Sequence, residues 1–117
     1  MSATPPDRDT AVSAASFASE PGPEPGTWVL RASGEIDVAT SPELRRALHH
    51  LVDRHGSIVV DLRDVSFIDS SGLGVLVGTL KRLRERDPQG TLVLEGLQDP
   101  VRKVFDITGL TDLFAVR

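Results

Sequence analysis

Cysteine is missing from all 117 residues. Disulfide frameworks, thiolate metal sites and cysteine nucleophiles are therefore excluded, and the composition fits a reducing cytosol. Basic charge is not in excess either: 13 Lys and Arg stand against 17 Asp and Glu, for a formal net charge of -4. The chain thus lacks the electrostatic footprint of a nucleic-acid binder. No apolar run approaches the ~18 residues of a membrane span. The first twenty residues hold no basic cluster followed by an apolar stretch, which argues against a secretory leader. No repeat of fixed period is visible.

What is present is one domain's worth of chain. Apolar residues make up 39%, and a chain of this size buries roughly 65% of its unfolded surface. Composition changes near residue 26. Five of the eight prolines, Pro5, Pro6, Pro21, Pro23 and Pro25, lie before it. That stretch is rich in Ser and Ala and sets Asp7, Asp9, Glu20 and Glu24 against Arg8. Residues 1–25 are read as an N-terminal segment: disordered from Met1 to Thr10, with a weak edge strand over Val12 to Ser19 and a turn at Pro21-Gly22-Pro23. Residues 26–117 form the folded domain.

From Trp28 the pattern is regular. Trp28 to Ala32 reads as a strand, with a turn at Ser33-Gly34. Thr40 and Glu43 match a capping box, while Pro42 would suit Ser41 as the cap. Leu44, Ala47, Leu48, Leu51 and Val52 then mark one apolar helix face, ending near Gly56. Ile58 to Leu62 is almost wholly apolar, as in a strand covered on both faces or at a sheet centre. Val65 to Ile68 is a second apolar patch. Leu73, Leu76, Val77, Leu80 and Leu83 line a second helix, whose last turns carry Lys81, Arg82, Arg84 and Arg86 to complement the helix dipole. Thr91 to Glu95 is a further strand. Asp99-Pro100 opens a third helix bearing Val101, Val104, Phe105 and Thr108, with Gly109 as its stop. Phe114 to Val116 closes the series as a strand. Alternating strands and helices imply parallel crossovers and an α/β layer structure.

The most unusual stretch is Asp69-Ser70-Ser71-Gly72-Leu73-Gly74. Asp, Ser and Gly are ordinary helix-entry residues, because a side-chain oxygen accepts from first-turn amides. Yet two serines stand where one would do. Glycines at 72, 74 and 78 each cost roughly 1 kcal/mol of helix propensity. Small residues on an entering turn leave backbone amides open to a ligand or partner. The glycine spacing fits neither a dinucleotide fingerprint nor a P-loop, and no nucleophile elbow is present.

Other candidates carry less. His49 and His50 are adjacent, so they do not face one another on a helix, and with His55 they read as solvated surface residues. Nothing in the sequence sets a histidine beside Ser70 for a hydrolytic triad. Asp61 reads as a strand end and Asp64 as part of the next turn, so with Asp69 they make a poor phospho-acceptor pocket. The basic run Lys81 to Arg86 reads as a solvated helix end, with no interleaved aromatics for base stacking.

The stretch from Asp61 to Leu76, Asp-Leu-Arg-Asp-Val-Ser-Phe-Ile-Asp-Ser-Ser-Gly-Leu-Gly-Val-Leu, closely resembles the signature of STAS domains, nearest to bacterial anti-sigma factor antagonists. Gly34-Glu35-Ile36-Asp37 resembles the family's turn before its first helix, and Val104 to Leu110 its late helix and stop. In order, the three cover residues 27 to 117. The resemblance implies a mixed four- to five-stranded sheet with helices packed against it, and one more helix after the last strand, which these 117 residues do not write. It implies a partner switch without enzymatic activity or a cofactor. In it the unphosphorylated protein binds an anti-sigma factor that is a serine kinase and so frees the sigma factor. A metal-dependent serine phosphatase resets the switch. By position the acceptor is Ser70, with Asp37, Thr40, Asp69, Ser71, Gly72 and Leu73 as partner-binding residues around it. A cytoplasmic monomer or weak dimer is expected. The open first-turn amides are expected to tolerate the phosphate within the domain. Two alternatives compete. One is a STAS scaffold or ligand-sensing module for a nucleotide or a lipid-transport partner; the other is a small serine hydrolase.

Overall fold

A computed structural model describes residues 15–117; the tail read over Met1 to Thr10, and Val12 with its neighbours to residue 14, lie outside them. The described residues form one sheet, β1 (Ala15–Pro21), β2 (Thr27–Ile36), β3 (Ser57–Ile68), β4 (Thr91–Glu95) and β5 (Ala115–Val116), joined in that spatial order. The edge strand β1 pairs antiparallel with β2, and all other pairs are parallel. Three helices complete the fold: α1 (Ser41–Val52), α2 (Ser70–Arg86) and α3 (Asp99–Thr108). This is the α/β layering that the alternation of elements implies, with the mixed four- to five-stranded sheet that the resemblance implies.

The strand order dictates where the helices go. Each crossover from β2 onward steps one strand in the same direction. Parallel crossovers are right-handed, so successive helices land on one face. A single apolar core fills that face: Leu30, Ile58, Val60, Leu62 and Leu94 of the sheet against Leu44, Leu48, Leu76, Leu83, Val101 and Phe105 of the helices. β3 is therefore the sheet centre but is not covered by helices on both sides. Its other face meets long charged side chains instead. Arg31 pairs with Glu20 at 3.3 Å and Asp61 at 3.0 Å. Arg63 pairs with Asp61 at 3.0 Å and Glu95 at 3.6 Å, and Arg117 with Glu95 at 2.8 Å. This ladder crosses the sheet from edge to edge, and Val59 lies among its members, only 5% exposed.

Several local expectations give way. Ser33-Gly34 is no turn: β2 runs on to Ile36, because two register shifts against β3 and a positive φ of 91° at Gly34 absorb the irregularity. Asp61 does not end its strand and Asp64 is not in a turn. β3 continues to Ile68, and buried Asp61 is held in mid-strand by Arg31 and Arg63. Pro21 belongs to β1, and the turn follows it, closed by the Gly22 amide on the Thr27 carbonyl at 2.7 Å. α1 stops at Val52, short of Gly56. The last turns of α2 are not merely solvated. Arg86 donates to the carbonyls of Val52 and His55, at 2.6 and 2.9 Å, and so caps the end of α1. His55 is not a free surface group either, since it stacks on Trp28 with ring centroids 4.6 Å apart.

Candidate functional site

The carboxyl ends of β2 and β3 lie side by side, with Ile36 in register with Ile68. Each strand then turns into a helix through an aspartate, Asp37 or Asp69. The chain thereby brings together two segments that are 32 positions apart in sequence. The amide of Asp69 donates to the Ile36 carbonyl at 3.1 Å, which fastens one turn to the other.

In the first turn, one carboxylate oxygen of Asp37 accepts from the amides of Ala39 and Thr40, at 3.0 and 3.1 Å. The Thr40 hydroxyl accepts from the Asp37 amide at 2.9 Å and donates to the Glu35 carbonyl at 2.9 Å. Thr40 is therefore spent on the turn, and the capping box with Glu43 does not form. The N-cap position of α1 carries no side-chain hydrogen bond.

In the second turn, Asp69 is the N-cap of α2. Its carboxylate accepts from the Ser71 and Gly72 amides at 2.9 and 3.3 Å, and also from the Ser71 hydroxyl. Those bonds hold the Asp69 carboxyl below the usual carboxylate range, the Ser71 hydroxyl first and the two amides after it. The Ser71 and Gly72 amides are thus occupied by Asp69, where the sequence reading left the first-turn amides open. Ser71 is half-buried and committed. Ser70 is exposed, and its hydroxyl makes no hydrogen bond among the described residues. Beneath them, a Cβ on Gly72 would stand 2.7 Å from both Ile36 Cγ2 and Ile68 Cγ1. Gly72 is what allows α2 to enter so close to the two strand ends. Leu73 is 6% exposed and belongs to the core. Gly72 and Leu73 shape the turn from below, while Asp37, Asp69 and Ser71 brace it from the side.

Two residues at this end of the sheet escaped the sequence reading. Val38, in the Asp37 turn, is 75% exposed, and Phe67, beside Glu35 in the sheet register, is 47% exposed. Strict alternation would put Phe67 on the same face as buried Val65, but a bulge in β3 between the two breaks that alternation and leaves Phe67 exposed. The histidines take no part: His55 stacks on Trp28 near the opposite strand ends, His50 is exposed, and His49 lies between α1 and α2. Among the described residues, no group of three or more His, Asp or Glu could hold a metal, and no helix is long and apolar enough to cross a membrane.

A STAS domain family model matches residues 23–117. The chain belongs to the STAS domain family. An anti-sigma-B factor antagonist of Listeria monocytogenes is 44% identical over 86 residues, spanning 73% of this chain and 74% of the Listeria protein. The crystal structure of an anti-sigma factor antagonist from Mycobacterium paratuberculosis superposes with a TM-score of 0.78 at 29% identity, covering 87% of this chain and 84% of that one. The anti-sigma factor antagonist SpoIIAA in its unphosphorylated form gives 0.71 at 27% identity, over 87% of this chain and 88% of its own. SpoIIAA of Bacillus in the phosphorylated form gives 0.66 at 26%, over 87% and 91%. The fold and family implied by the Asp61 to Leu76 resemblance are thus borne out. This STAS domain has an Asp-Ser-Ser-Gly sequence at the start of α2.

Proposed function

We propose that the protein is an anti-sigma factor antagonist, a regulatory binding module without enzymatic activity, switched by phosphorylation of Ser70 in the cytoplasm. Unphosphorylated, it binds an anti-sigma serine kinase and frees the sigma factor. Phosphorylation ends that binding, and a metal-dependent serine phosphatase restores it. The observation that carries this reading is the division of labour between the serines. Ser71 is tied to the Asp69 carboxylate, while Ser70 presents a free, exposed hydroxyl. Only Ser70 can enter a kinase without first dismantling the helix cap.

The same geometry says what a phosphate would do. It adds a charge of about -1.5 to -2. Asp69 already occupies the Ser71 and Gly72 amides, which leaves the phosphate little of the helix start to bind. It faces outward, next to a like charge. Two unit charges ~6 Å apart at an effective dielectric of ~20 interact by roughly 3 kcal/mol. Against an acidic partner group that is about two orders of magnitude in affinity. No rearrangement of the domain is required, because a local charge event with a binding readout is a sufficient switch. Asp37, Thr40, Asp69 and Ser71 fix the shape of the contact surface, with Gly72 and Leu73 supporting it and Val38 and Phe67 supplying its apolar anchors.

The test is calorimetric titration of the kinase with wild-type, Ser70→Ala and Ser70→Glu chains, alongside mapping of the phosphate after incubation with ATP. Ser70→Ala should bind like the wild type and resist modification, while Ser70→Glu should bind at least tenfold more weakly. Equal affinities, or a phosphate on Ser71, would sink the reading.

A further inference from the structure

A groove of about 820 Å³ runs between α1 and α2. Both helices return from parallel strands of one sheet, so they run parallel to each other. The α2 wall of the groove repeats every seven residues: Ser71, Gly78 and Glu85, then Gly74 with Lys81, then Val75 with Arg82. That is the spacing of a coiled-coil seam. The seam is distinct from the core-facing stripe of Leu73, Leu76, Leu80 and Leu83. On α1, Pro42, Arg45, Arg46 and His49 repeat with helical spacing along the opposite wall. The two walls leave the groove open along both helices, with no third helix of the described residues lining it. From Ser71 to Glu85 the seam is about 21 Å long at 1.5 Å per residue.

The floor of the groove is kept open at a cost. A Cβ on Gly74 or Gly78 would meet nothing within 4 Å. Packing inside the chain therefore does not require either glycine, although each lowers helix stability by roughly 1 kcal/mol relative to alanine. Small residues one turn apart let another backbone approach closely. The walls are cationic in a chain of net charge -4. Arg45, Arg46 and Lys81 make no ion pair among the described residues, Arg82 is paired with Asp53 at 2.8 Å, and Glu85 is the one carboxylate lining the groove. His49 between them is held below the ordinary imidazole value by burial first, then by Arg82 and Arg45.

We propose that this groove receives an acidic amphipathic helix of a protein partner, laid along α1 and α2 as the third helix of a bundle. Its carboxylates meet Arg45, Arg46 and Lys81, and its small apolar side chains lie over Gly74 and Gly78. The seven-residue repeat and the length select a helix over a compact anion, and the absence of Phe, Tyr and Trp from the lining disfavours stacked bases. The groove begins at Ser71, so it is continuous with the switch turn. The assignment of the helix to the anti-sigma kinase, and that alone, rests on the function proposed above.

The test uses the full chain and two probes. The first is a fluorescein-labelled synthetic helix with Ala and Leu at heptad core positions and Glu at its flanks, with a counterpart carrying Lys for Glu. Fluorescence anisotropy should show binding of the Glu helix and none of the Lys helix. Gly78→Leu, which fills the floor two turns away from Ser70, and the double variant Arg45→Glu/Arg46→Glu should each weaken binding at least tenfold. Gly78→Ala should retain it. Circular dichroism checks the fold, and the double variant serves if Gly78→Leu does not fold. The second probe is the kinase, identified by ATP-dependent phosphorylation of Ser70 and titrated with the same groove variants on a Ser70→Ala background. Failure of the Glu helix to bind, or binding untouched by both variants, overturns the groove assignment. If the kinase separates Ser70→Ala from Ser70→Glu yet ignores the groove variants, the switch stands and the assignment to the kinase falls. If the Glu helix binds in the groove while the kinase treats Ser70→Ala and Ser70→Glu alike, the groove stands and the phospho-switch falls.

Discussion

The amide of Asp69 donates to the carbonyl of Ile36 across 3.1 Å, so the turn that carries Ser70 is fastened to the turn that carries Asp37. The two turns therefore move together, and the Asp37 carboxylate, with its bonds to Ala39 and Thr40, stiffens both. Asp37→Ala should raise amide hydrogen exchange at Ala39 and Thr40 and, through Ile36, at Asp69, while the middle of α2 stays protected. Faster exchange confined to the Asp37 turn would show that the two turns are independent.

The two serines should separate cleanly in stability. Ser70 is exposed and unbonded, so Ser70→Ala should change unfolding free energy by less than about 0.5 kcal/mol. Ser71→Ala deletes the hydroxyl that the Asp69 carboxylate accepts and should cost about 0.5–1.5 kcal/mol. Urea melts of both variants measure the difference, and equal losses would mean that Ser70 also contributes to the cap.

Asp69 gives the cap a pH dependence with a definite sign. Its carboxyl is held below the ordinary range, by the Ser71 hydroxyl first and the Ser71 and Gly72 amides after it. A group depressed in the folded state stabilises fully above its unfolded value and loses that contribution as pH falls through the folded one. Asp69→Asn retains an acceptor but not the charge. Melting temperatures of the two proteins, followed from neutral pH to below the carboxylate range, should converge in acid. A gap that stays constant with pH would show that ionisation of Asp69 contributes nothing.

The strands and helices and their alternation were largely readable because apolar periodicity and turn residues both report burial on one face. The Asp-Ser-Ser-Gly entry was readable for the same reason, since a helix start has its own residue chemistry. What failed turned on partners that residue type alone does not name. Ser33-Gly34 looks like a turn until β3 supplies the register shifts that let the strand pass through it. Thr40 looks like a cap until Asp37 and Glu35 claim its hydroxyl. Asp61 looks like a strand end because a buried carboxylate in mid-strand makes sense only beside Arg31 and Arg63, one of which comes from the neighbouring strand. That Asp69 takes the Ser71 and Gly72 amides was equally invisible, since it depends on where one carboxylate oxygen points.

Glycine substitutions within α2 should act in opposite directions. A Cβ on Gly72 would stand 2.7 Å from Ile36 and Ile68 side-chain carbons, so Gly72→Ala overpacks the junction and should cost about 1–3 kcal/mol. A Cβ on Gly78 meets nothing within 4 Å, so Gly78→Ala gains helix propensity and should stabilise by up to about 1 kcal/mol. Thermal melts should move down for the first and up for the second. A Gly72→Ala chain as stable as the wild type would mean that α2 can shift outward without loss, and the close entry of that helix would then not explain the glycine.

Val38 and Phe67 offer a way to separate binding from folding. Both are large and apolar, and both are substantially exposed, at 75% and 47%, Val38 in the Asp37 turn and Phe67 near the end of the strand that leads to Ser70. Exposed aromatic and branched side chains around a switch residue are candidates for binding anchors, because an interface buries apolar area that the free domain leaves in water. Since solvent already reaches them, replacing either with serine should shift unfolding free energy by no more than about 0.5 kcal/mol. On a Ser70→Ala background, Phe67→Ser should nevertheless weaken kinase binding by at least tenfold, which corresponds to about 1.4 kcal/mol, with a smaller loss for Val38→Ser. Calorimetric titration and a urea melt on the same samples give the two numbers side by side. A variant that loses stability and affinity together would make Phe67 a structural residue of the strand end. One that loses neither would move the partner's footprint away from this side of the turn.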